Sequence, residues 1–424
     1  MTAPNIVPLA RQGSGNGLCF RVRYNEHTGF ARLLAERRLA ADALILDARN
    51  HKRHEALRRE AHAQSIALWF DSQAMELALP GAVSKTHASL AWARNTVHEP
   101  EDFTAEVVRT YARQLAEFAI DGGYSTVLAP THYVAEEGSE WLDIDRALVE
   151  ALHEALEKRA GASIQIVYPL ALHANLLADS SIRADLVRTL RRLPIDRVSL
   201  RVHPFGYRSG PAAMRNVIRA ALELQTAGHP LLIERAGIAG LAAYAFGAVD
   251  GIESGVTFGD TFDVNDRLKP SIQGSQPSSF APPQQIFLDA FGMTVKRTVA
   301  EQLLASSRGK QWFGCRDPLC CAHGVKSMLD DAFRHSALTR QRQHAALART
   351  PPTMRAARCS RRSSGAQAVC CCSSSRCCAA TVFPISYPQQ RRPPMARTKA
   401  PSGDGPLFEE TPTPSGDAPA PAAR

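Results

Sequence analysis

The chain has 424 residues, of which 45% are hydrophobic and 21% charged, and this is enough apolar sequence to bury a large core. No apolar run reaches the roughly 18 residues that a membrane helix needs. The sequence before Gly17 also lacks the apolar centre of a secretory signal, so we expect a cytoplasmic protein that does not associate with membranes.

The net positive charge of the chain comes from its C-terminal end. The formal net charge is +9, which alone would indicate a polyanionic partner. From His335 onward, however, there are 13 Lys and Arg residues against 4 Asp and Glu residues, whereas residues 1–334 carry 37 of each. Overall charge therefore does not identify a ligand. Because no secretory signal is present, we expect no disulfide framework from the ten cysteines either.

Short aliphatic segments alternate with longer amphipathic segments, a pattern typical of strand–helix units and a parallel sheet. The eight predicted strands are Leu18–Arg23, Ala43–Asp47, Ile66–Phe70, Ser125–Ala129, Ile164–Tyr168, Val198–His203, Leu231–Glu234 and Gly251–Val256. The predicted helices include Phe103–Phe118, Ile144–Lys158, Ile182–Arg192, Ala212–Leu224 and Leu241–Phe246, with Thr104 and Ser181 near helix starts as capping hydroxyls. Eight units favour a (β/α)8 TIM barrel, although an open doubly wound sheet has the same local pattern.

The composition predicts three regions. Residues 17–310 form the barrel, residues 311–345 a small zinc-binding subdomain, and residues 346–424 a disordered, low-complexity tail. The tail is predicted to be disordered because its Arg-, Cys-, Ser- and Pro-rich sequence has little with which to form a core. Asp263–Pro283 is predicted to be a loop within a capping insertion.

A cysteine cluster precedes the tail. Cys315, Cys320 and Cys321 lie close together in the sequence, and a helix following them would carry His335 back towards them. Thiolates and an imidazole are the donors of a tetrahedral structural zinc site, so we predict that these four residues bind Zn²⁺. The alternative is that the cysteines are merely small buried residues.

Polar residues also occur at or just beyond the ends of the predicted strands, where barrels place their active sites. Two carboxylates facing each other there, Asp71 and Glu253, would suit a double displacement at an acetal-like carbon. The alternative is that each carboxylate caps a helix or pairs with an arginine. The full set of strand-end residues is Asp71, Thr131, His132, Tyr168, His203, Glu234, Arg235, Glu253 and Asp260.

Two segments resemble the tRNA-guanine transglycosylase superfamily. Phe70-Asp71-Ser72-Gln73 is similar to the family motif Asp-Ser-Gly-Gly-Phe-Gln, and Ala248-Val-Asp-Gly-Ile-Glu253 has the register of the motif Gly-Ile-Asp-Met-Phe-Asp. These enzymes exchange a guanine for a 7-deazaguanine base on a barrel that carries a zinc subdomain. The superfamily includes the queuine and archaeosine tRNA-ribosyltransferases and paralogues that modify DNA.

The resemblance implies that Asp71 is the acid/base and Glu253 the nucleophile, with tRNA or DNA and a 7-deazaguanine-type base as partners. A homodimer is left open. The predicted substrate-binding residues are Gln73, His132, Tyr168 and His203. Two alternatives stand beside this prediction. One is a catalytically inactive, zinc-containing barrel that binds nucleic acid or a protein partner. The other is an unrelated TIM-barrel hydrolase in which His132 and His203 serve as acid/base or metal ligands.

Overall fold

The computed structural model describes residues 17–81, 87–94, 96–159, 161–206, 209–256, 261–268 and 284–356. All of them belong to one compact unit, and a second unit, residues 379–424, lies outside the described residues, as does most of the predicted tail. Within the described part of the chain, no helix combines the length and the hydropathy that crossing a membrane requires.

Eight parallel strands form a closed barrel. Each strand pairs with the next in the sequence, and the last pairs with the first, Leu18 lying opposite Ile252. This closure confirms the (β/α)8 TIM barrel and excludes the open sheet. The strands are β1 (Leu18–Val22), β2 (Ala43–Asp47), β3 (Ala67–Asp71), β4 (Thr126–Leu128), β5 (Gln165–His173), β6 (Arg197–His203), β7 (Leu231–Ile233) and β8 (Gly251–Ser254).

Helices connect the strands on the outside of the barrel. Thr104 caps a helix as predicted, because its hydroxyl accepts from the N–H of Val107. Ser181 does not cap the helix Ser180–Leu190, because there the Asp179 side chain accepts from the Ser181 N–H. The helices are α1 (His27–Ala35), α2 (Glu55–Ala63), α3 (Ala105–Asp121), α4 (Trp141–Lys158), α5 (Ser180–Leu190), α6 (Pro211–Leu224) and α7 (Gly237–Ala245), with one further turn at Ala74–Leu77.

A small α+β segment follows the barrel strands. An antiparallel hairpin of β9 (Gln285–Leu288) and β10 (Met293–Lys296) leads into α8 (Arg297–Leu304), α9 (Ser307–Phe313), α10 (Val325–Asp330) and α11 (Ala332–Ala348). It has its own apolar cluster, centred on Ile286, Leu288 and Met328.

The last helix, α11, belongs to the barrel as well. The ring of Phe333 lies 5.0 Å from that of Phe30 on α1, and the ring of His344 lies 4.8 Å from that of Tyr244 on α7. A Cβ at Gly29 would lie 2.5 Å from the Phe333 ring, so only glycine allows this approach. Lying between α1 and α7, α11 completes the ring of helices. The predicted division between barrel and zinc subdomain stays a prediction.

The barrel interior has two layers. Towards the N-terminal ends of the strands it is apolar, with a cluster formed by Cys19, Ala43, Ile45, Trp69, Leu128, Val167 and Leu232. Side chains of a strand alternate between its two faces, so the next inward positions lie two residues further along. In several strands these positions are charged, and they form the upper layer: Arg21, Asp47, Asp71, Arg201, Glu234 and Glu253.

Candidate active site and metal centre

Arg21 lies at the centre of the upper layer and contacts four carboxylates. Its Nε donates to Glu253 Oε1 at 3.0 Å and its Nη2 to Glu234 Oε2 at 2.9 Å. Its Nη1 donates to Asp71 at 2.7 Å and to Asp47 at 3.3 Å. The side chain of Asp47 is 11% exposed, and each of the other four side chains is 5% exposed or less. Such a cluster persists in a low-dielectric interior only because its charges compensate one another.

Arg201 binds two of the same carboxylates. Its Nε donates to Glu234 at 2.6 Å and its Nη2 to Asp71 at 2.7 Å. The second oxygen of Glu234 accepts from the Ser199 hydroxyl, and that of Asp71 accepts from the Gln73 backbone N–H at 2.8 Å. Both oxygens of Asp71 and of Glu234 are therefore occupied by donors from the chain itself.

Glu253 is different, because its Oε2 is buried without a donor among the described residues. Burial raises its pKa to about 7, against the attraction of Arg21, and the charge of Glu234 and a hydrogen bond to that carboxyl act in the same direction as burial. Glu253 thus exchanges a proton near neutral pH and has one uncommitted oxygen, which are the two properties of a general acid/base.

Asp71 has the opposite character. Burial alone would raise its pKa, but Arg201, Arg21 and the Gln73 N–H outweigh burial and lower the pKa well below its ordinary value. A carboxylate held in the ionised state with both oxygens bonded is a poor proton carrier. Asp71 was expected to be the acid/base and Glu253 the nucleophile, but of the two it is Glu253 that has the properties of a proton carrier.

The segment Thr261–Leu268 covers the mouth of the barrel. Phe262 and Val264 pack with Met75, Leu79 and Tyr133. The Val264 N–H donates to His203 Nδ1 at 3.2 Å, and burial lowers the pKa of His203, which favours the unprotonated ring that this bond requires. Predicted as a substrate-binding residue, His203 holds the covering segment in this structure.

Two other predicted substrate-binding residues contact the chain around the mouth. The Gln73 side chain accepts from the Arg49 backbone N–H at 3.4 Å, while its backbone orients Asp71. His132 turns towards α4: its Nδ1 lies 2.6 Å from Asp145 and its ring stacks on Trp141 at 3.8 Å. His132 has no hydrogen bond to the carboxylates of the upper layer.

Tyr168 faces away from the barrel interior. Val167 is in the inner apolar cluster, so its neighbour Tyr168 points outwards, where it lines a cavity of about 270 Å³ with Leu142 on α4 and Leu186 on α5. The structure therefore does not bring Tyr168 to Asp71 and Glu253, because strand alternation places it on the opposite face.

The four predicted metal ligands come together. The donor atoms of Cys315, Cys320, Cys321 and His335 all lie within 4.8 Å of one another. The sulfurs of Cys320 and Cys321 are 3.7 Å apart, and His335 Nδ1 lies 3.5 Å and 3.4 Å from them. This group could hold a metal ion.

A hydrogen bond orients the His335 ring with its Nδ1 towards the sulfurs. Its Nε2 lies 3.0 Å from the Phe287 carbonyl, a contact that requires the proton on Nε2 and leaves the Nδ1 lone pair facing the sulfurs. A hydrogen bond to Cys315, together with burial, raises the pKa of Cys320 to about 12, so these crowded thiols do not ionise together without a cation. His323 is exposed and His344 packs on Tyr244, so neither competes for the site.

The arginines of the upper layer were not predicted as functional residues. Arg21 is the one charged residue of the buried strand Leu18–Val22, and Arg201 is a buried residue between Leu200 and Val202 in the strand Arg197–His203. A single arginine at an inward position of such a strand requires buried carboxylates, and that signal was available in the sequence.

No protein-family model and no curated protein matches this chain. Among solved structures, an intracellular xylanase from Thermoanaerobacterium saccharolyticum is similar over 54% of this chain and 79% of its own, at 12% identity and a TM-score of 0.33. An endo-1,4-β-xylanase from Penicillium canescens is similar over 56% and 81%, at 12% identity and a TM-score of 0.36. Likeness at this level has no bearing on the function of the chain.

Proposed function

We propose that this protein breaks a glycosidic bond, with Glu253 as the general acid/base. The observation that carries the proposal is the free, buried Oε2 of Glu253, whose pKa is raised to about 7 beside the ionised Asp71 and Glu234. The protonated Glu253 gives its proton to the leaving group as the glycosidic bond breaks. Asp71 and Glu234 stabilise the positive charge that develops on the sugar, and Glu253 then accepts the proton of the incoming nucleophile.

For the substrate we propose a guanine base exchanged for a 7-deazaguanine, on tRNA, DNA or a nucleoside, as the family resemblance implies. One structural detail supports the resemblance. Gln73 has a φ of +60°, the left-handed region that favours glycine, and it stands where the family motif Asp-Ser-Gly has its glycine. A glycine at this position would adopt the same conformation without strain.

We also propose that Cys315, Cys320, Cys321 and His335 bind Zn²⁺ as a structural ion. A tetrahedral zinc, with bonds of about 2.3 Å to sulfur and about 2.0 Å to nitrogen, separates two sulfurs by about 3.8 Å and a sulfur from a nitrogen by about 3.5 Å. The distances of 3.7, 3.5 and 3.4 Å in this cluster match those values. A zinc ion with four protein ligands has a structural role, because no coordination position is left for a substrate.

The test is base exchange by the zinc-loaded protein. We expect labelled guanine to enter tRNA or DNA, and Glu253→Gln to reduce the rate by about 100-fold or more because it removes the proton carrier. Glu150→Gln changes an exposed glutamate on α4 and should leave the rate unchanged. Failure of the folded, zinc-loaded protein to incorporate guanine into either nucleic acid would contradict base exchange.

The pH profile tests the role of Glu253. Because the reacting form is protonated, kcat should fall as the pH rises through about 7 and should be flat below it. A rate that instead rises through this pH would show that Glu253 acts as the ionised nucleophile, which would contradict the acid role.

A non-catalytic barrel is the second candidate, and one observation favours it. The guanidinium groups of Arg21 and Arg201 bind Asp71 and Glu234, carboxylates that in an enzyme would contact the substrate. This candidate predicts that Glu253→Gln leaves every binding property of the protein unchanged, and that neither nucleic acid nor nucleoside undergoes any turnover.

A further inference from the structure

Two arginines at the barrel mouth have no carboxylate partner among the described residues. Arg23 follows β1 and Arg235 follows β7, so they flank β8, the strand that carries Glu253. No described acidic group lies within ion-pair distance of either guanidinium, and Arg235 Nε is buried without an acceptor. Arg235 is only 8% exposed. Its guanidinium lies 5.8 Å from the centre of the Phe262 ring. A buried cation without a counter-ion among the described residues is costly, and this cost points to an added anion.

The electrostatics of both residues agree with this. Burial lowers the pKa of Arg235 to about 10, and the neighbouring Arg21 acts in the same direction. Burial also lowers the pKa of Arg23, only partly offset by Glu26 and Asp47. An arginine whose pKa is lowered is one whose charge the surrounding carboxylates do not fully compensate.

The backbone at Arg235 forms a second, independent feature. Arg235 and Gly237 both have a φ of +52°, and Ala236 between them has a φ of −102°. Such an alternation of sign turns successive N–H groups towards one side, which is the geometry of an anion-binding nest. A non-glycine residue in this conformation is strained, and such strain concentrates at ligand sites.

The same residues begin helix α7. No side chain caps this helix. The N–H groups of Ala239 and Gly240 donate to the Ala236 carbonyl, whereas those of Gly237 and Ile238 have no acceptor among the described residues. The N-terminus of the helix is the positive end of its dipole, and in β/α barrels the loops after the seventh and eighth strands frequently bind phosphate. In this barrel α7 follows the seventh strand.

Three carboxyl groups face the same position. Asp47 is bound by Arg21, and Glu76 is bound by Arg267 at 3.3 Å through Oε1, whereas its Oε2 has no donor in the part of the chain that the structure describes. Burial raises the pKa of Glu253 to about 7, so its protonated form can also donate a hydrogen bond. The arrangement therefore selects a group that accepts hydrogen bonds on several oxygens.

We propose that Arg23, Arg235 and the N-terminus of α7 form a phosphate-binding subsite beside Glu253. It would hold the phosphoryl group of a nucleotide, as a monomer or within a strand, while the glycosidic bond of that nucleotide lies at Glu253. This orientation rests on the proposed function, but the binding of phosphate does not.

Binding can be measured without turnover, on the full-length, zinc-loaded protein. Isothermal titration would use three probes: inorganic phosphate, guanosine 5′-monophosphate and guanosine. We expect the monophosphate to bind at least about tenfold more tightly than guanosine, because only the monophosphate makes charge-assisted hydrogen bonds to both arginines. Binding of inorganic phosphate alone would assign the subsite to the free anion. Equal affinity for nucleotide and nucleoside, with no binding of inorganic phosphate, would overturn the proposal.

Variants locate the subsite. Arg235→Gly removes the guanidinium and the strained side chain together, so we expect affinity for the monophosphate to fall about tenfold or more while the melting temperature stays equal or rises. Arg23→Ala gives a second measurement outside the strained turn, with the same loss of affinity. Arg219→Ala, at an exposed position on α6, is the matched control and should bind like the wild type. Full affinity in both Arg235→Gly and Arg23→Ala would refute the subsite, whether or not base exchange is observed.

Discussion

The carboxylate–arginine cluster of the barrel and the Cys–His cluster beside it are both buried and polar, but they are compensated in different ways. In the barrel, Arg21 and Arg201 neutralise the acidic groups through hydrogen bonds of 2.6–3.3 Å. In the Cys–His cluster, the nearby Arg342 binds the carboxylates of Asp317 and Asp289 instead of a sulfur. The first cluster is neutralised by arginines of the chain itself, whereas the second is a group of thiols and an imidazole that could hold an added cation.

This difference separates two kinds of preorganised site. A cluster that is neutralised internally forms as the chain folds and keeps only the group that lacks a partner, Glu253 Oε2, for chemistry. A cluster of thiols forms fully only with its metal, so its free energy of assembly depends on the metal concentration. Three measurements test this contrast.

The largest expected effect is that of losing the metal. Cys320→Ser removes one of four ligands, and we expect it to abolish stoichiometric zinc binding and to lower the free energy of unfolding by ~5 kcal/mol or more, because metal binding is coupled to folding of the segment. Metal analysis and urea unfolding measure the two quantities. Cys19→Ala, at a buried cysteine inside the barrel, is the control and should keep one zinc per chain. Zinc retained by Cys320→Ser would show that the ligands are other residues.

A smaller but still large effect is expected from Arg21→Met. It leaves four carboxylates without their shared cation, and we expect the free energy of unfolding to fall by about 3–5 kcal/mol, with partial recovery at low pH as these carboxylates protonate. Urea unfolding at two pH values measures it. Arg219→Met on the exposed face of α6 should change stability by less than about 0.5 kcal/mol. Equal stability of the two variants would mean that the barrel cluster is not internally compensated as described.

The smallest effect is a gain in stability. Gln73→Gly relieves the positive φ of +60° next to Asp71, and we expect a gain of about 0.5–1 kcal/mol. Gln302→Gly, in the exposed interior of α8, should instead destabilise by about 1 kcal/mol. Thermal unfolding of both variants gives the comparison, and a loss of stability in Gln73→Gly would show that the Gln73 side chain matters more than its backbone conformation.

Local pattern was sufficient to predict the eight strands, whereas the closure of the sheet is shown only by the pairing of the last strand with the first. The predicted strand Ala43–Asp47 has the observed bounds, and Leu231–Glu234 differs from β7 by one residue. The predicted strand Ile164–Tyr168 is too short, because β5 continues to His173 through Pro169, which a single sequence suggests as an end. Burial of alternating aliphatic residues dictates where strands form, and this property is local to each segment.

The chemistry of the site depends on distant residues and was predicted only in part. The strand-end rule indicated Asp71 and Glu253, but their opposite pKa shifts arise from Arg21 and Arg201, and Arg21 lies 232 residues from Glu253 in the sequence. Side-chain direction also explains why Tyr168 lies outside the barrel interior, because neighbouring residues of a strand point to opposite faces. The cysteine spacing was more informative, because Cys320 and Cys321 are neighbours and the following helix returns His335 to them.

The dual role of α11 has a consequence during translation. This helix supplies His335 to the Cys–His cluster and also packs on Phe30, next to the first strand of the barrel. Because the ribosome releases the N-terminus first, β1 and α1 emerge long before their final packing partner is synthesised. Until Phe333 has left the ribosome, the face of α1 that carries Phe30 therefore lacks this packing partner.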